Sequence, residues 1–260
     1  MHRFIGLSTF NDERPIKFTQ RQGKIIMTCT KAPEFSGFPS ATMSFLEELA
    51  ANNERAWFQA NKRLYEEDVL APALEFIGAM GPRLERISQH FVAIPKRVGG
   101  SLIRVYRDTR FSRNKTPYKT NIGIQFRHEF GKDIHAPGFY VHIEPSVCFL
   151  GVGLWRPGSS TLTAIRDSIV DDSSGWKRAR NAKRFRERFT LSGDRLKRPP
   201  RGYPADHPCI EDLKRKDFIG VLEFDIRETS NRAFPDQVAT DFAAAKPLMR
   251  FLCGALELRF

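Results

Sequence analysis

Residues 104–121 read RVYRDTRFSRNKTPYKTN, four arginines and two lysines in eighteen positions against a single acid, Asp108. Guanidinium forks match the geometry of carboxylates and phosphates, and one aspartate cannot cancel six cations. Such a surplus is what an anion site looks like in sequence. Arg104, Arg107, Arg110 and Lys115 are the candidate ligand-binding cations, with Asp108 fixing the direction of an arginine, Tyr118 adding a hydroxyl donor and Pro117 stiffening the loop. A second group lies downstream. His142 and Glu144 stand two apart, so on a strand they share one face and can serve as general acid and base within hydrogen-bond reach of a substrate. Asn121, Gln125 and Arg127 fall on the polar side of the preceding strand and can line the same cleft. Two ligands are too few for a metal site, so no metal is assigned. Asp206-His207, before Pro208, reads as loop and helix-capping chemistry.

A competing arrangement uses the same residues. The motif can be a salt-bridge lattice that pins loop 109–118 to acidic helices carrying Glu47-Glu48 or Glu66-Glu67-Asp68. A lattice puts each guanidinium on a protein carboxylate, whereas a site gathers several around one concavity.

The elements that must position these groups follow from hydrophobic period. From Ser40, a candidate N-cap, Phe45, Leu46, Leu49 and Ala50 recur at helical spacing until Asn52-Asn53. A second helix carries Trp57, Phe58, Asn61, Leu64 and Tyr65, with Asn53 as its expected cap and Trp57 and Phe58 as core. A third starts at Pro72 and carries Leu74, Phe76, Ile77, Met80 and Leu84. Strand patterns then take over. Residues 102–108 alternate, placing Arg104, Tyr106 and Asp108 on one face and Arg107 beside Ile103 and Val105 on the other. Residues 121–128 alternate as well, and GFYVHIEPSVCFLGVGLW reads as a hairpin turning at Glu144-Pro145-Ser146. Gly151 and Gly153 inside it suit close packing or a bulge. A capped helix over SSTLTAIRDSIV, a basic helix from Trp176 to Phe189, a loop RPPRGYPADHP, a strand from Phe218 to Ile226 and helix from Val238 to Leu256 complete the chain. Helices, then consecutive strands, then helices with one late strand predict an α+β domain with a mostly antiparallel sheet. A single domain is expected over residues 35–260. Residues 1–34 carry no sustained period and are expected to be a disordered or loosely ordered extension, or the product of a start codon upstream of Met27.

The 260 residues are 41% hydrophobic and suffice for a sizeable core. No run of 18 apolar residues exists, and the first residues lack the apolar core of a secretory signal, which argues against a membrane span and against export. Cys29, Cys148, Cys209 and Cys253 are scattered without a C-x-x-C pair and read as reduced thiols of a cytoplasmic protein. The formal charge is +12, and the segment Lys177–Arg201 holds eleven Lys or Arg against Glu187 and Asp194, nine of those net charges. That makes acidic partners, nucleic acid among them, an alternative to a small anionic ligand. P-loop, G-x-S-x-G and H-E-x-x-H signatures are missing from the sequence. No cofactor and no oligomeric state is assigned.

The stretch RVYRDTRFSRNKTPY, through Arg104, Arg107, Asp108, Arg110, Phe111, Asn114, Lys115 and Tyr118, resembles the signature of a mainly bacterial family, domain of unknown function 2461. FLEELAANNERAWFQANKRLYEE, GFYVHIEP, GVGLWRP and DHPCIEDLKRKDF resemble the same family, from about Phe35 to the C-terminus. The resemblance implies a common fold and a shared motif but no activity. The residues alone leave three readings standing: an anion-binding site with acid–base chemistry at His142 and Glu144, a nucleic-acid-binding face at 177–201, and a structural lattice.

Overall fold

The computed structural model describes residues 34–130 and 136–260, together with Gln20–Arg21 (β1) and Lys24–Ile25 (β2), two short antiparallel strands. The chain divides into two compact units, residues 1–32 and 33–260. Apart from β1, β2 and Glu34, the expected N-terminal extension lies outside the described residues, as does Cys29.

The larger unit opens with α1 (Ser40–Ala51), α2 (Arg55–Ala60) and α3 (Lys62–Leu64). A π-helical stretch, Tyr65–Leu70, then leads into α4 (Ala71–Ile87). Pro39, not Ser40, is the N-cap of α1, and its carbonyl accepts from the Thr42 amide at 2.9 Å. Pro72 was expected to begin a separate helix, yet it sits inside a continuous run. Lacking an N–H, it cannot donate to the carbonyl of Asp68. The buried Thr42 hydroxyl of α1 donates to that carbonyl instead, and the local turn widens so that the Ala71 amide reaches Glu66.

The sheet has six strands, all antiparallel, in the order β3-β4-β5-β6-β8-β7: Phe91–Val92, Ile122–His128, Gly138–Glu144, Val147–Leu154, Phe218–Phe224 and Thr190–Ser192. The hairpin β5–β6 turns at Pro145-Ser146, with Glu144 paired to Val147, as the alternation predicts. The two outermost strands, β3 and β7, were not foreseen. The expected strand at 102–108 forms only isolated bridges, Leu102 to Ile124 and Tyr106 to Tyr118.

Behind the sheet come α5 (Ser159–Asp171), α6 (Ser173–Arg180), α7 (Lys183–Arg188), α8 (Ile210–Leu213), α9 (Phe234–Ala244) and α10 (Lys246–Gly254). The N-cap of α5 is Gly158, with no side-chain cap. The basic helix breaks into α6 and α7 at Asn181-Ala182. The core lies on one side of the sheet, where Phe126, Phe139, Val141, Ile143, Leu150 and Val152 are fully buried with Phe242, Leu248 and Met249 of the last two helices. Burying apolar surface on this side is the main stabilising term of the fold. The alternate residues, Gln125, Tyr140, His142, Glu144 and Phe149, stand on the opposite face and are only half-buried among the described residues. These features make an α+β domain with helices at both ends of an antiparallel sheet.

Candidate functional site

The arginine motif is a long irregular ribbon rather than a strand. Its two limbs run antiparallel and are tied by Ile103 N–H to Gly123 C=O at 2.8 Å, Lys119 N–H to Val105 C=O at 2.7 Å and Arg107 N–H to Pro117 C=O at 2.9 Å. Alternation survives without regular pairing: Arg104, Tyr106, Asp108 and Arg110 are exposed, while Val105 and Arg107 are half-buried. The base of the ribbon is fixed by Asn53. Its side-chain amide donates to the Tyr118 carbonyl at 3.1 Å, and its side-chain oxygen accepts from the Tyr118 N–H at 3.0 Å. Asn53 therefore caps no helix; Glu54 is the N-cap of α2. The Tyr118 ring is buried and stacks on Phe58 at 4.1 Å between centroids, so this tyrosine anchors the ribbon more than it presents a hydroxyl.

The cations disperse to different fates. Arg110 forms a two-bond fork with Asp108, at 3.0 and 2.7 Å, and this bond, more than any other influence, holds the Asp108 carboxyl down to about 2. Both are on the surface, where such a pair adds little stability. Lys115 donates to the Thr109 carbonyl at 2.9 Å. The Arg104 side chain has no carboxylate partner among the described residues. Arg107 turns inward and donates to the Thr116 hydroxyl, whose own donor goes to Asn114 Oδ1 at 2.8 Å. Arg107 and Lys119 line a hollow of about 330 Å³ with Asn53, Asn114, Thr120 and Asn121. The Lys119 ammonium donates to the Arg104 and Tyr106 carbonyls at 2.7 and 2.9 Å. Burial pushes its pKa down, and the nearby charges of Arg104 and Arg107 push it further. The convergence of four motif cations is thus not what the structure brings together: Arg104, Arg110 and Lys115 lie outside the lining of this hollow, and Lys119, unforeseen, stands in it. Among the described residues the expected lattice does not form either: Glu66 pairs with Arg97 and Glu67 with Arg63.

His142 and Glu144 do share a face of β5. Glu144 Oε2 lies 3.1 Å from His142 Nε2, and Glu144 Oε1 accepts from the Thr120 hydroxyl at 2.9 Å. A carboxylate only accepts, so Nε2 carries the proton and Nδ1 accepts from the Tyr140 hydroxyl at 3.1 Å. Asn121 approaches Nδ1 at 3.4 Å. Both ring nitrogens are therefore engaged. Burial, and then the Glu144 charge, lift the Tyr140 phenol to about 12. Sequence reasoning missed Tyr140, although its place two residues before His142 on an alternating strand put it on this face.

A family described as conserved hypothetical protein, domain of unknown function 2461, matches residues 41–251. The chain belongs to this family. No curated protein and no solved structure matches it.

For this family member the remaining expectations resolve locally. His207 Nδ1 accepts from the Cys209 N–H at 3.1 Å in the loop before α8, and that helix has no side-chain cap. In the basic segment, Arg180 pairs with Asp212 and Arg188 with Asp241, both of them buried carboxylates. Arg178, Lys183 and Arg195 have looser partners at 3.8–3.9 Å. Cys148, Cys209 and Cys253 are buried free thiols. Among the described residues no helix is long and apolar enough to cross a membrane, and no three His, Cys, Asp or Glu side chains come together as a metal group.

Proposed function

We propose that the protein recognises a phosphorylated or carboxylated small molecule in the hollow beneath the arginine ribbon, with Arg107 and Lys119 as its charged contacts. The observation that carries this reading is a pair of half-buried cations in one hollow, Arg107 and Lys119, with no carboxylate among the lining residues, while the nearby acid, Asp108, is taken up by Arg110. Half-buried like charges raise each other's energy, and an anion placed among them reverses the sign of that interaction. Asn114, Thr120 and Asn121 supply hydrogen bonds around the charge. His142 and Glu144 stand behind the hollow's lining, which they contact through Asn121 and Thr120 respectively, and His142 is the acid–base group we assign. The nucleic-acid alternative draws less support, because five of the eleven cations in 177–201 already face protein carboxylates. The cytoplasm is the compartment we assign, on the three buried thiols with no disulfide among the described residues.

The test uses inorganic phosphate as probe, with ionic strength held constant by chloride. Wild-type protein should show a saturable rise in unfolding temperature, which follows RT ln(1 + [L]/Kd). Arg107→Met and Lys119→Met, with native circular dichroism, should lose it. An equal phosphate response in all three proteins refutes the reading.

A further inference from the structure

His142 also lines a larger concavity, about 470 Å³, over the open face of the sheet, within the size range of small-molecule sites. We infer that it is a separate binding site for a neutral aromatic compound of about two fused rings. The inference does not rest on the anion reading.

The shape comes from a floor without side chains. Gly138 of β5 pairs with Gly153 of β6, and Gly151 lies two residues before Gly153 on the same face; all three line the cavity. Such positions are about 5 Å apart across the strands and about 7 Å apart along them. The bare patch is therefore as long as a bicyclic ring, with Tyr140, Phe149 and Ile219 standing around it. Gly153 has a left-handed φ of 117°, and a Cβ there would strike the Phe218 carbonyl. A Cβ at Gly138 would press on the Phe126 carbonyl at 3.3 Å. Gly151 has neither constraint: its Cβ would meet Ile219 and Tyr140 only at ordinary contact distances of 3.4–3.7 Å. Neither backbone nor packing demands a glycine at 151, and a side chain there would simply take up the room the cavity offers.

Carbon dominates what faces that room. Among the described residues the lining holds no Lys, Arg, Asp or Glu, so a charged molecule would give up its water with nothing to pair it. The polar lining groups are turned to protein partners. The Tyr140 hydroxyl leans over Gly123 and donates to His142 Nδ1 at 3.1 Å, His142 Nε2 meets Glu144 at 3.1 Å, and Gln125 Oε1 accepts from Arg127 Nε at 3.2 Å. Ring surfaces remain. Phe149 stacks on His142 with centroids 4.6 Å apart and lies tilted by 51° to Tyr140 at 5.8 Å. A further aromatic ring joins such a group edge-to-face or offset at about 4.5–7 Å, an interaction that a saturated ring of the same size lacks.

The far end is a fixed wall. Trp155 lines the cavity while 58% exposed, and the Arg156 guanidinium, itself outside the lining, covers one face of its ring at 5.0 Å from the centroid. Arg156 takes a left-handed φ of 48°, costly for a side chain other than glycine, and its N–H donates to Asp217 Oδ1 at 2.6 Å. The other oxygen of the buried Asp217 accepts from the Asp194 N–H at 2.9 Å, so one carboxylate holds both wall segments, Trp155-Arg156 and Ser192-Gly193.

The probe is 2-naphthol, uncharged at neutral pH, titrated calorimetrically into the full chain. Saturable one-to-one binding is expected, with an affinity that saturating inorganic phosphate leaves unchanged. Gly151→Val, a strand-compatible filler of the cavity, should weaken it about tenfold, and Trp155→Ala, a change at an exposed position, about fivefold, both with unchanged circular dichroism. Decahydro-2-naphthol, puckered and without π faces, should bind at least about threefold more weakly than 2-naphthol. Four results overturn the inference: no saturable binding to the wild-type protein, equal affinity in wild type, Gly151→Val and Trp155→Ala, equal affinity for the saturated compound, or displacement by phosphate, which would place the naphthol in the ribbon hollow.

Discussion

Replacing Asn53 by alanine removes one side chain and two hydrogen bonds, those to the N–H and C=O of Tyr118 at 3.0 and 3.1 Å. Tyr118 is 2% exposed, so water does not easily replace them. Each bond contributes about 1 kcal/mol net, and each buried backbone group left without a partner costs about 1–3 kcal/mol. Asn53→Ala should therefore lose about 2–4 kcal/mol in denaturant unfolding, or roughly 5–15 °C in midpoint at about 2–4 °C per kcal/mol for a domain of this size. The loss should be local first. Tyr118 and Lys119 amides, which hold the ribbon, should exchange with solvent deuterium faster than the amides of β5 and β6. A variant destabilised by less than about 0.5 kcal/mol, with unchanged exchange at Tyr118, would show that Asn53 does not position the ribbon.

Thr42→Val keeps shape but leaves the Asp68 carbonyl without its donor beside Pro72, and should cost about 1–3 kcal/mol in the same unfolding assay. Alkali should weaken the fold through its buried phenols. Tyr65 and Tyr140 are lifted from 10.0 to about 12, so the folded state holds their protons more tightly than the unfolded chain. Stability present below pH 10 is lost as pH rises toward 12, on the order of 2–3 kcal/mol for each group. Tyr140→Phe should flatten that part of the pH profile.

The sheet was legible because it buries one face only: Phe139, Val141 and Ile143 alternate with Tyr140, His142 and Glu144, and the structure sorts them as written. The α+β order followed from the same pattern. What escaped was either very short or held at a distance. β3 has two residues and β7 three, too few to show a period. Asn53 meets Tyr118 across sixty-five positions, and no local spacing announces such a contact. At the motif, composition revealed the excess charge but not its direction, because each cation turns to a partner set by the ribbon's path: Arg110 to Asp108, Lys115 to the Thr109 carbonyl, Arg107 to Thr116 and Lys119 to the Arg104 and Tyr106 carbonyls. His142 and Glu144 were legible as a pair. That both imidazole nitrogens are spoken for depends on Tyr140 at Nδ1 as well as Glu144 at Nε2, and on Thr120 holding the other Glu144 oxygen.

The two outermost ladders of the sheet bear on how the molecule behaves in company. Long middle strands end at margins of two and three residues, so a foreign strand arriving at either border finds few unpaired amides to copy. Fibril growth by edge addition needs a longer template than that. Short outer strands thus leave little of the sheet's rim for a second copy to pair with.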